Sequence, residues 1–271
     1  MTPEELFRAV ADHVAEHQGK AGQQDFFRAI HRQALKGMGL VNDADIQATG
    51  EAGVLRYIQG ELARRGVADA EAVIFDVGAN VGVYTAAALD RFPAATVWSF
   101  EPSPTAFRAL CETAARYPGR CRPVNLGLSD RAGAATLHGD RPGSTLASLH
   151  DRAIRKFQEG GGGETVRLAT LDGFCADNAV DRVHFLKVDV EGHEIAVLDG
   201  ARGLLDRRAV DFIQFEFGGC NLDSRTFLRD FWSRLDGFAI CKIVKDGLYR
   251  LSAYSEFDEI FAYQNFLAVR Q

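Results

Sequence analysis

Apolar residues follow two different spacings along the chain, and the change falls near residue 70. Before it, apolar side chains recur at helical intervals, as at Leu6, Val10 and Val14, with breaks that contain glycine. After it, short apolar runs such as AVIFDV and TVWSFE alternate with segments of helical spacing. We therefore predict an extension of three helices over residues 1–70 and an α/β domain over residues 71–271.

The apolar runs of the second region have the length of buried strands, and segments of helical spacing separate several of them. Such alternation is typical of βαβ units, which place parallel strands in one sheet with helices on both faces. Strands are predicted near residues 72–77, 96–101, 121–129, 183–190, 210–217, 238–244 and 260–269. Helices are predicted near residues 83–91, 104–117, 194–205 and 224–235.

A long insertion separates the third predicted strand from the fourth, over about residues 131–169. It contains two strand-like stretches, GAATLHG and ETVRLAT, a helical stretch near residues 152–157 and a glycine run at 160–163. A plain crossover would be shorter, and long segments of this kind in compact domains are often functional. We expect the insertion to cover part of the ligand site as a lid.

Composition narrows the classes of partner. The net charge of −6 and the pI near 5.7 disfavour a nucleic-acid surface, which needs clustered Lys and Arg, and favour a small or neutral substrate. The five cysteines are an odd number without a C-x-x-C pair, as expected for reduced thiols. The acidic, amphipathic start is unlike a signal peptide, and apolar stretches are shorter than a membrane span. We expect a cytoplasmic protein without a nucleic-acid or membrane partner.

The clearest local motif runs from Asp76 to Gly82 and reads DVGANVG. It stands directly after a predicted strand and before a helix, where glycines permit tight turns and the first N–H groups of the helix are free to bind a ligand. The dinucleotide fingerprint reads G-x-G-x-x-G, whereas Gly78 and Gly82 are spaced G-x-x-x-G around Ala79 and Asn80. The loop therefore favours a nucleotide-like ligand over NAD or FAD.

The second predicted strand ends in an acidic residue, Glu101, followed by Pro102 and Ser103. A carboxylate at this place can accept hydrogen bonds from both hydroxyls of a ribose. Pro102 ends the strand, and Ser103 can cap the helix that follows. Two such motifs on consecutive strand ends indicate one binding site.

A third group of ionisable residues follows the fourth strand in KVDVEGHE, residues 187–194. Asp189 and His193 are candidates for chemistry, although Asp189 could instead pair with Lys187 and His193 could simply begin a helix. Glu216, at the end of the fifth strand, should reach the same edge of the sheet. Asp189 and Glu216 could bind a hard cation such as Mg²⁺, act as a base, or accept hydrogen bonds from ligands.

Taken together, these motifs resemble the FkbM family of methyltransferases over about residues 71–269. The resemblance is carried by VIFDVGANVGVYT, SFEPS, NLGLSD, TLD at residues 170–172, KVDVEGHEIAVLDGA and IQFEF. It implies a Rossmann-like, doubly wound sheet of seven strands, the last one antiparallel, that binds S-adenosylmethionine. It also implies a hydroxyl of a sugar, a glycan or a secondary metabolite as the methyl acceptor.

Carried onto matching positions, the resemblance assigns roles to the candidate residues. Asp76, Gly78 and residues 80–82 would surround the methionine part and the ribose, and Glu101 would bind the ribose hydroxyls. Leu128, Ser129 and the following aspartate would lie near the adenine, and Asp189 would line the crevice for methyl transfer.

An alcohol acceptor calls for a base, and His193 is the first choice because its unperturbed pKa is near neutrality, with Asp189 and Glu216 as alternatives. Two other functions remain open: an NAD-linked oxidoreductase or epimerase on the same sheet, and a methyltransferase-like domain that only binds. The helices of residues 1–70 are a candidate wall of the substrate pocket or contact surface of a homodimer.

Overall fold

The computed structural model describes residues 1–40, 45–151 and 163–271. The chain divides into two compact units, residues 1–40 and 41–271. The predicted helix near 152–157 and the glycine run, apart from Gly163, lie outside the described residues. Within the described residues, no helix has both the length and the apolar character needed to cross a membrane.

The first unit consists of two helices, α1 (Pro3–His17) and α2 (Gln24–Gly37). Thr2 caps α1 by accepting a hydrogen bond from the Glu5 backbone N–H, and the Glu5 carboxylate accepts one from Thr2 in return. Neither helix contains a buried residue.

The second unit is built around a mostly parallel sheet with helices on both faces, as predicted. Its helices are α3 (Glu51–Arg64), α4 (Val83–Arg91), α5 (Pro104–Ala114), α6 (Leu171–Asp177), α7 (Glu194–Asp199), α8 (Arg202–Asp206), α9 (Cys220–Ser224) and α10 (Leu228–Arg234). Its strands are β1 (Val73–Val77), β2 (Thr96–Phe100), β3 (Cys121–Val124), β4 (Gly127–Leu128), β5 (Gly133–His138), β6 (Gly163–Ala169), β7 (Val183–Val188), β8 (Val210–Phe217), β9 (Phe238–Val244), β10 (Gly247–Arg250) and β11 (Gln264–Arg270).

The main sheet has the strand order β10-β9-β11-β8-β7-β1-β2-β3. The strands from β8 to β3 are parallel, and β11 runs antiparallel to both β8 and β9. The predicted antiparallel last strand is therefore confirmed. One strand more than predicted is present, because β10 forms a hairpin with β9 at the sheet edge. Lys245 and Asp246 form the two-residue turn between them, because Gly247 pairs with Val244.

Successive residues of the central strands point to opposite faces of the sheet and enter two separate cores. Ile74 and Phe185 join a core that includes α3 and α4 residues, whereas their neighbours Phe75 and Leu186 join the core formed with α6, α7 and α10. The helix α3, which the sequence analysis grouped with the N-terminal extension, buries Leu55, Ile58 and others in the first of these cores. It is an integral part of the sheet-bearing unit.

The insertion contributes a second sheet of three strands in the order β4-β6-β5. Its strands β5 and β6 are the two stretches predicted from GAATLHG and ETVRLAT. The predicted helix over 194–205 is divided into α7 and α8. The break is stabilised by Asp172, whose carboxylate accepts hydrogen bonds from the backbone N–H groups of Gly203 and Leu204 at 2.7 and 2.9 Å, in the first turn of α8.

Candidate active site

The loop after β1 is held by contacts inside the protein. Gly78 has φ of +86°, and a Cβ atom there would lie 1.8 Å from the backbone oxygen of Asp189. Gly82 also has φ of +86°, and a Cβ atom there would lie 2.8 Å from Leu110 of α5. The positive φ angles fit the tight turns expected of these glycines, and close packing against Asp189, which follows β7, and against α5 is a further requirement for them.

Glu101 closes the end of β2 and is almost fully buried. Its two carboxylate oxygens accept hydrogen bonds from the backbone N–H groups of Asn80 and Ser103, both at 2.8 Å. Burial raises the pKa of Glu101 to about 7, against the lowering effect of these two donors. Each oxygen keeps a lone pair that a ligand hydroxyl can use.

Behind the loop, Lys187 lies between two aspartates. Its Nζ is 2.9 Å from Asp189 and 3.8 Å from Asp76, and it stands 4.8 Å from the centre of the Tyr84 ring. Burial alone would lower the pKa of Lys187, but Asp189, Asp76 and Glu51 together raise it, so the lysine stays charged. The ion pair of Asp189 with Lys187, one of the alternatives in the sequence analysis, is present.

Asp76 is completely buried and does not reach either cavity described below. One of its oxygens accepts a hydrogen bond from Thr85 at 2.6 Å, and Thr85 also contacts Ser99 at 2.9 Å. Asp76 thus supports the loop from below and lines neither cavity.

Asp189 and Glu216 are brought together at the ends of β7 and β8, as predicted. Together with Glu191, they offer carboxylate oxygens that lie within 4.8 Å of one another. Burial and the neighbouring carboxylates, Asp189 first among them, raise the pKa of Glu216 well above its usual value. Burial opposes ionisation of Asp189 as well, but Lys187 and a hydrogen bond from Glu216 outweigh it and lower the pKa of Asp189. Glu216 is therefore the protonated partner and Asp189 the carboxylate.

His193 lies on a different side of Asp189 from Glu216. Its Nε2 is 2.9 Å from the Ser129 hydroxyl and its Nδ1 is 3.5 Å from Nε2 of His150. Burial, followed by the neighbouring His150, lowers the pKa of His193 to about 4. The imidazole is consequently neutral near pH 7 and is a weak base.

Two cavities meet at this edge of the sheet. The first, with an empty volume of about 570 Å³ including open solvent, lies between the ends of β1 and β2, β4 and the loop after β7. Residues of the insertion form part of its wall, among them Ser144, Thr145, Ala147 and Leu149. The second, of about 980 Å³, lies beside it. Both are lined by Gly78, Asn80, Thr145, Asp189 and Glu191.

Most of the predicted site residues line these cavities. The first cavity alone contains Glu101, Pro102, Leu128 and His193, and the second alone contains Ala79 and Glu216. Four predicted residues line neither cavity and only support the site. Asp76 and Gly82 do so through the contacts given above, and Ser103 caps α5, with its hydroxyl accepting a hydrogen bond from the Ala106 N–H at 3.5 Å. Ser129 holds His193 in place.

Several lining residues were missed. Ser144 and Thr145 come from the insertion, where the sequence carries no recognisable pattern. Glu51 and Tyr263 come from α3 and the segment before β11, far from the motifs along the chain. Glu191 stands inside KVDVEGHE and could have been included on position alone.

Known proteins are similar to part of this chain. The hexuronic acid methyltransferase AglP of Haloferax volcanii is 30% identical over 167 residues, which cover 62% of this chain and 62% of that protein. The 31-O-demethyl-FK506 methyltransferase FkbM of Streptomyces tacrolimicus is 30% identical over 152 residues, which cover 47% of this chain and 58% of that protein. The chain thus spans about three fifths of the length of these curated relatives.

Among solved structures, the METTL16 MTase domain aligns with a TM-score of 0.46 and 8% identity, over 88% of this chain and 76% of that one. Similarity at this level is too low to inform the site. The methyltransferase FkbM domain, by contrast, matches residues 76–263, which include the loop after β1, Glu101, Asp189 and Glu216. Because this match covers more than half of the chain, the protein belongs to the FkbM methyltransferase family.

Proposed function

We propose that this chain transfers a methyl group from S-adenosylmethionine to a hydroxyl oxygen of a sugar, a glycan or a secondary metabolite. The observation that carries the proposal is the pair of cavities that meet at Asp189, one of them bordered by the Glu101 carboxylate. Family membership supports the reaction class. Two relatives are named for transfer to oxygen, the FK506 enzyme and the 2-O-methyltransferase NoeI of Sinorhizobium fredii.

The first cavity fits the nucleoside of this cofactor. Glu101 has a free lone pair on each oxygen for the two ribose hydroxyls, since the backbone donors occupy only one direction on each. Apolar side chains of Phe100, Leu126, Leu128 and Leu137 line the same cavity, as a planar base requires.

When bound, the cofactor supplies a sulfonium methyl that is already activated. The task of the chain is to hold the acceptor oxygen in line with that methyl, and such positioning supplies roughly 7–11 kcal/mol in well-oriented reactions. Asp189 lies where the two cavities meet, so its carboxylate can accept the hydrogen bond and then the proton of the acceptor hydroxyl.

We assign this proton to Asp189 and no longer to His193. His193 lines only the first cavity, and its Nε2 contacts Ser129. The pKa of His193 and the pKa of Asp189 are both lowered, so basicity does not separate the two groups. Position does, because Asp189 lines both cavities. Glu216 is protonated and buried beside Asp189, where it orients the carboxylate. Because Glu216 is paired with Asp189, we assign it a positioning role.

The assignment is tested with Asp189→Asn and His193→Gln, assayed by release of S-adenosylhomocysteine with a panel of methyl glycosides as acceptors. We expect Asp189→Asn to lower kcat by about a hundredfold or more and His193→Gln to leave kcat near the wild-type value. Both variants are first checked for folding by thermal melting, because the substitution at Asp189 leaves Lys187 without its nearest partner. The opposite ranking would return the role of base to His193.

The cofactor itself is tested by calorimetry with S-adenosylhomocysteine and with NAD⁺ on the same sample. Heat from the first and none from the second is the expected result. Heat from NAD⁺ alone would favour the oxidoreductase or epimerase alternative. Binding of S-adenosylhomocysteine without turnover of any acceptor would favour a domain that only binds.

The carboxylates of Asp189, Glu191 and Glu216 could also hold a divalent cation, because their oxygens lie within 4.8 Å of one another. A proton shared between Glu216 and Asp189 through their hydrogen bond would also relieve the repulsion among these carboxylates. We favour the proton and expect activity to survive dialysis against EDTA. Loss of activity that Mg²⁺ restores would show a metal-dependent enzyme.

A further inference from the structure

Glu51 brings a carboxylate to the second cavity from outside the residues that match the family domain. It is the first residue of α3 and only 5% exposed. The start of this helix is fixed in place, because Gly50 has φ of +89° and a Cβ atom there would lie 2.2 Å from the backbone oxygen of Val244 in β9. The position of Glu51 at the cavity is therefore built into the fold.

The Glu51 carboxylate is held by neutral groups. Oε2 accepts a hydrogen bond from the Thr49 hydroxyl at 2.8 Å, and Oε1 accepts one from the side-chain amide of Gln214 at 2.7 Å. Gln214 is fixed in turn by the Tyr84 hydroxyl at 2.9 Å. Burial raises the pKa of Glu51, and the charge of Lys187 together with the hydrogen bonds from Thr49 and Gln214 opposes this shift. With no cation within ion-pair distance among the described residues, the oxygens of Glu51 keep lone pairs for a donor that enters the cavity.

Among the described residues, no other charged group that lines the second cavity is available to pair with an anion. Besides Glu51, the lining includes the carboxylates of Asp189 and Glu191 and the protonated carboxyl group of Glu216. Lys187 is the one cation among the lining residues that the structure describes, and it is already held by Asp189 at 2.9 Å and Asp76 at 3.8 Å. An acceptor carboxylate would be desolvated next to like charges, whereas hydroxyl or ammonium donors would meet hydrogen-bond acceptors.

Resting on the proposed function, we infer that the acceptor enters the second cavity as a hydroxyl-bearing group without negative charge, and that Glu51 is a specificity-determining residue for it. The Glu51 carboxylate accepts a hydrogen bond from a hydroxyl or ammonium group of the acceptor and excludes a carboxylate at the same place. Charge and hydrogen bonding thus select the acceptor at Glu51, a part of the cavity wall that lies outside the matched family domain.

The experiment compares three probes of nearly equal shape: methyl β-D-glucopyranoside, methyl β-D-glucosaminide and methyl β-D-glucuronide. Each is titrated by calorimetry into the full chain saturated with S-adenosylhomocysteine. We expect the glucoside and the glucosaminide to bind about tenfold or more tightly than the glucuronide. Glu51→Gln, which keeps the shape of the side chain, should narrow this gap to within about threefold.

The matched control is Glu61→Gln, on the same helix, where the carboxylate pairs with Arg64 at 2.7 Å and lines neither cavity. It should leave the gap unchanged. Equal or tighter binding of the glucuronide, no binding of any of the three probes, or equal effects of the two variants would each overturn the inference. A protein that binds no S-adenosylhomocysteine at the outset refutes the proposed function, and this inference falls with it.

Discussion

The buried carboxylate of Glu101 makes cofactor binding depend on pH in a direction that the structure fixes. Its oxygens accept hydrogen bonds from two backbone N–H groups, and a ribose would add hydroxyl donors, so the bound state requires the ionised form. In the free protein, burial raises the pKa of Glu101 to about 7. Lowering the pH therefore protonates the group and removes the form that is competent to bind.

The magnitude follows from the ionised fraction. With a pKa of about 7, about 9% of Glu101 is ionised at pH 6 and about 91% at pH 8. The apparent dissociation constant scales inversely with the competent fraction, so affinity should rise about tenfold over this interval, or about 1.4 kcal/mol. The pKa in the complex lies lower, because the bound donors favour the charged form.

The assay is calorimetry with S-adenosylhomocysteine at several pH values between these limits, on wild type and on Glu101→Gln. The variant should bind about tenfold to a hundredfold more weakly, since it loses charge-assisted hydrogen bonds, and its affinity should no longer change with pH. Glu194 is the relevant competitor, because burial also raises its pKa to about 7 and its carboxylate accepts hydrogen bonds from the loop at Val190 and Gly192. A pH dependence that survives in Glu101→Gln would refute the reasoning.

Three further predictions concern the supports of the site. Gly78→Ala should destabilise the protein by about 3 kcal/mol or more, because the new Cβ collides with the Asp189 carbonyl. Gly66→Ala is the control: Gly66 has φ of +79° and open space around it, so the variant should lose only about 1–2 kcal/mol through backbone strain. Thermal melts of the two variants separate the effect of the collision from that of the strain. Asp172→Ala removes the acceptor of two N–H groups in the first turn of α8 and should lower the free energy of unfolding by about 1–2 kcal/mol in urea titrations, so an unchanged value would exclude the capping role. We also propose a homodimer through α1 and α2, which bury no side chain of their own. Light scattering should find two chains per particle for the full chain and one after removal of residues 1–40. Two chains per particle in both proteins, or one in both, would exclude this interface.

Much of the site could be predicted because its motifs are local. A strand, a glycine turn and a helix are contiguous in residues 73–91, and parallel strands necessarily deliver Glu101, Asp189 and Glu216 to one edge of the sheet. The relative positions of side chains around Asp189 could not be predicted in the same way. Whether His193 faces the first cavity or the second depends on its contact with Ser129. These two residues are 64 positions apart in the sequence, and only the fold brings them together.

Glu51 shows the same limit more strongly. Its spacing in α3 predicts a helix, and nothing in the local pattern distinguishes it from the exposed acidic residues of the chain. Only the packing of Gly50 on Val244 and the hydrogen bond with Gln214, 163 positions away, make it a cavity residue. Such long-range contacts are decided by the whole core and leave no periodic signal in one sequence.

The origin of the cavity wall in α3 has an evolutionary and practical consequence. If Glu51 selects the acceptor as inferred, part of that choice is encoded in α3, which precedes the matched domain, whereas the first cavity is lined by residues within that domain. Recombination that replaces only the stretch containing α3 could redirect such an enzyme to a new acceptor and leave its use of the methyl donor intact. Chimeras that join this stretch from one relative to the catalytic domain of another are therefore a rational route to altered glycoside preference.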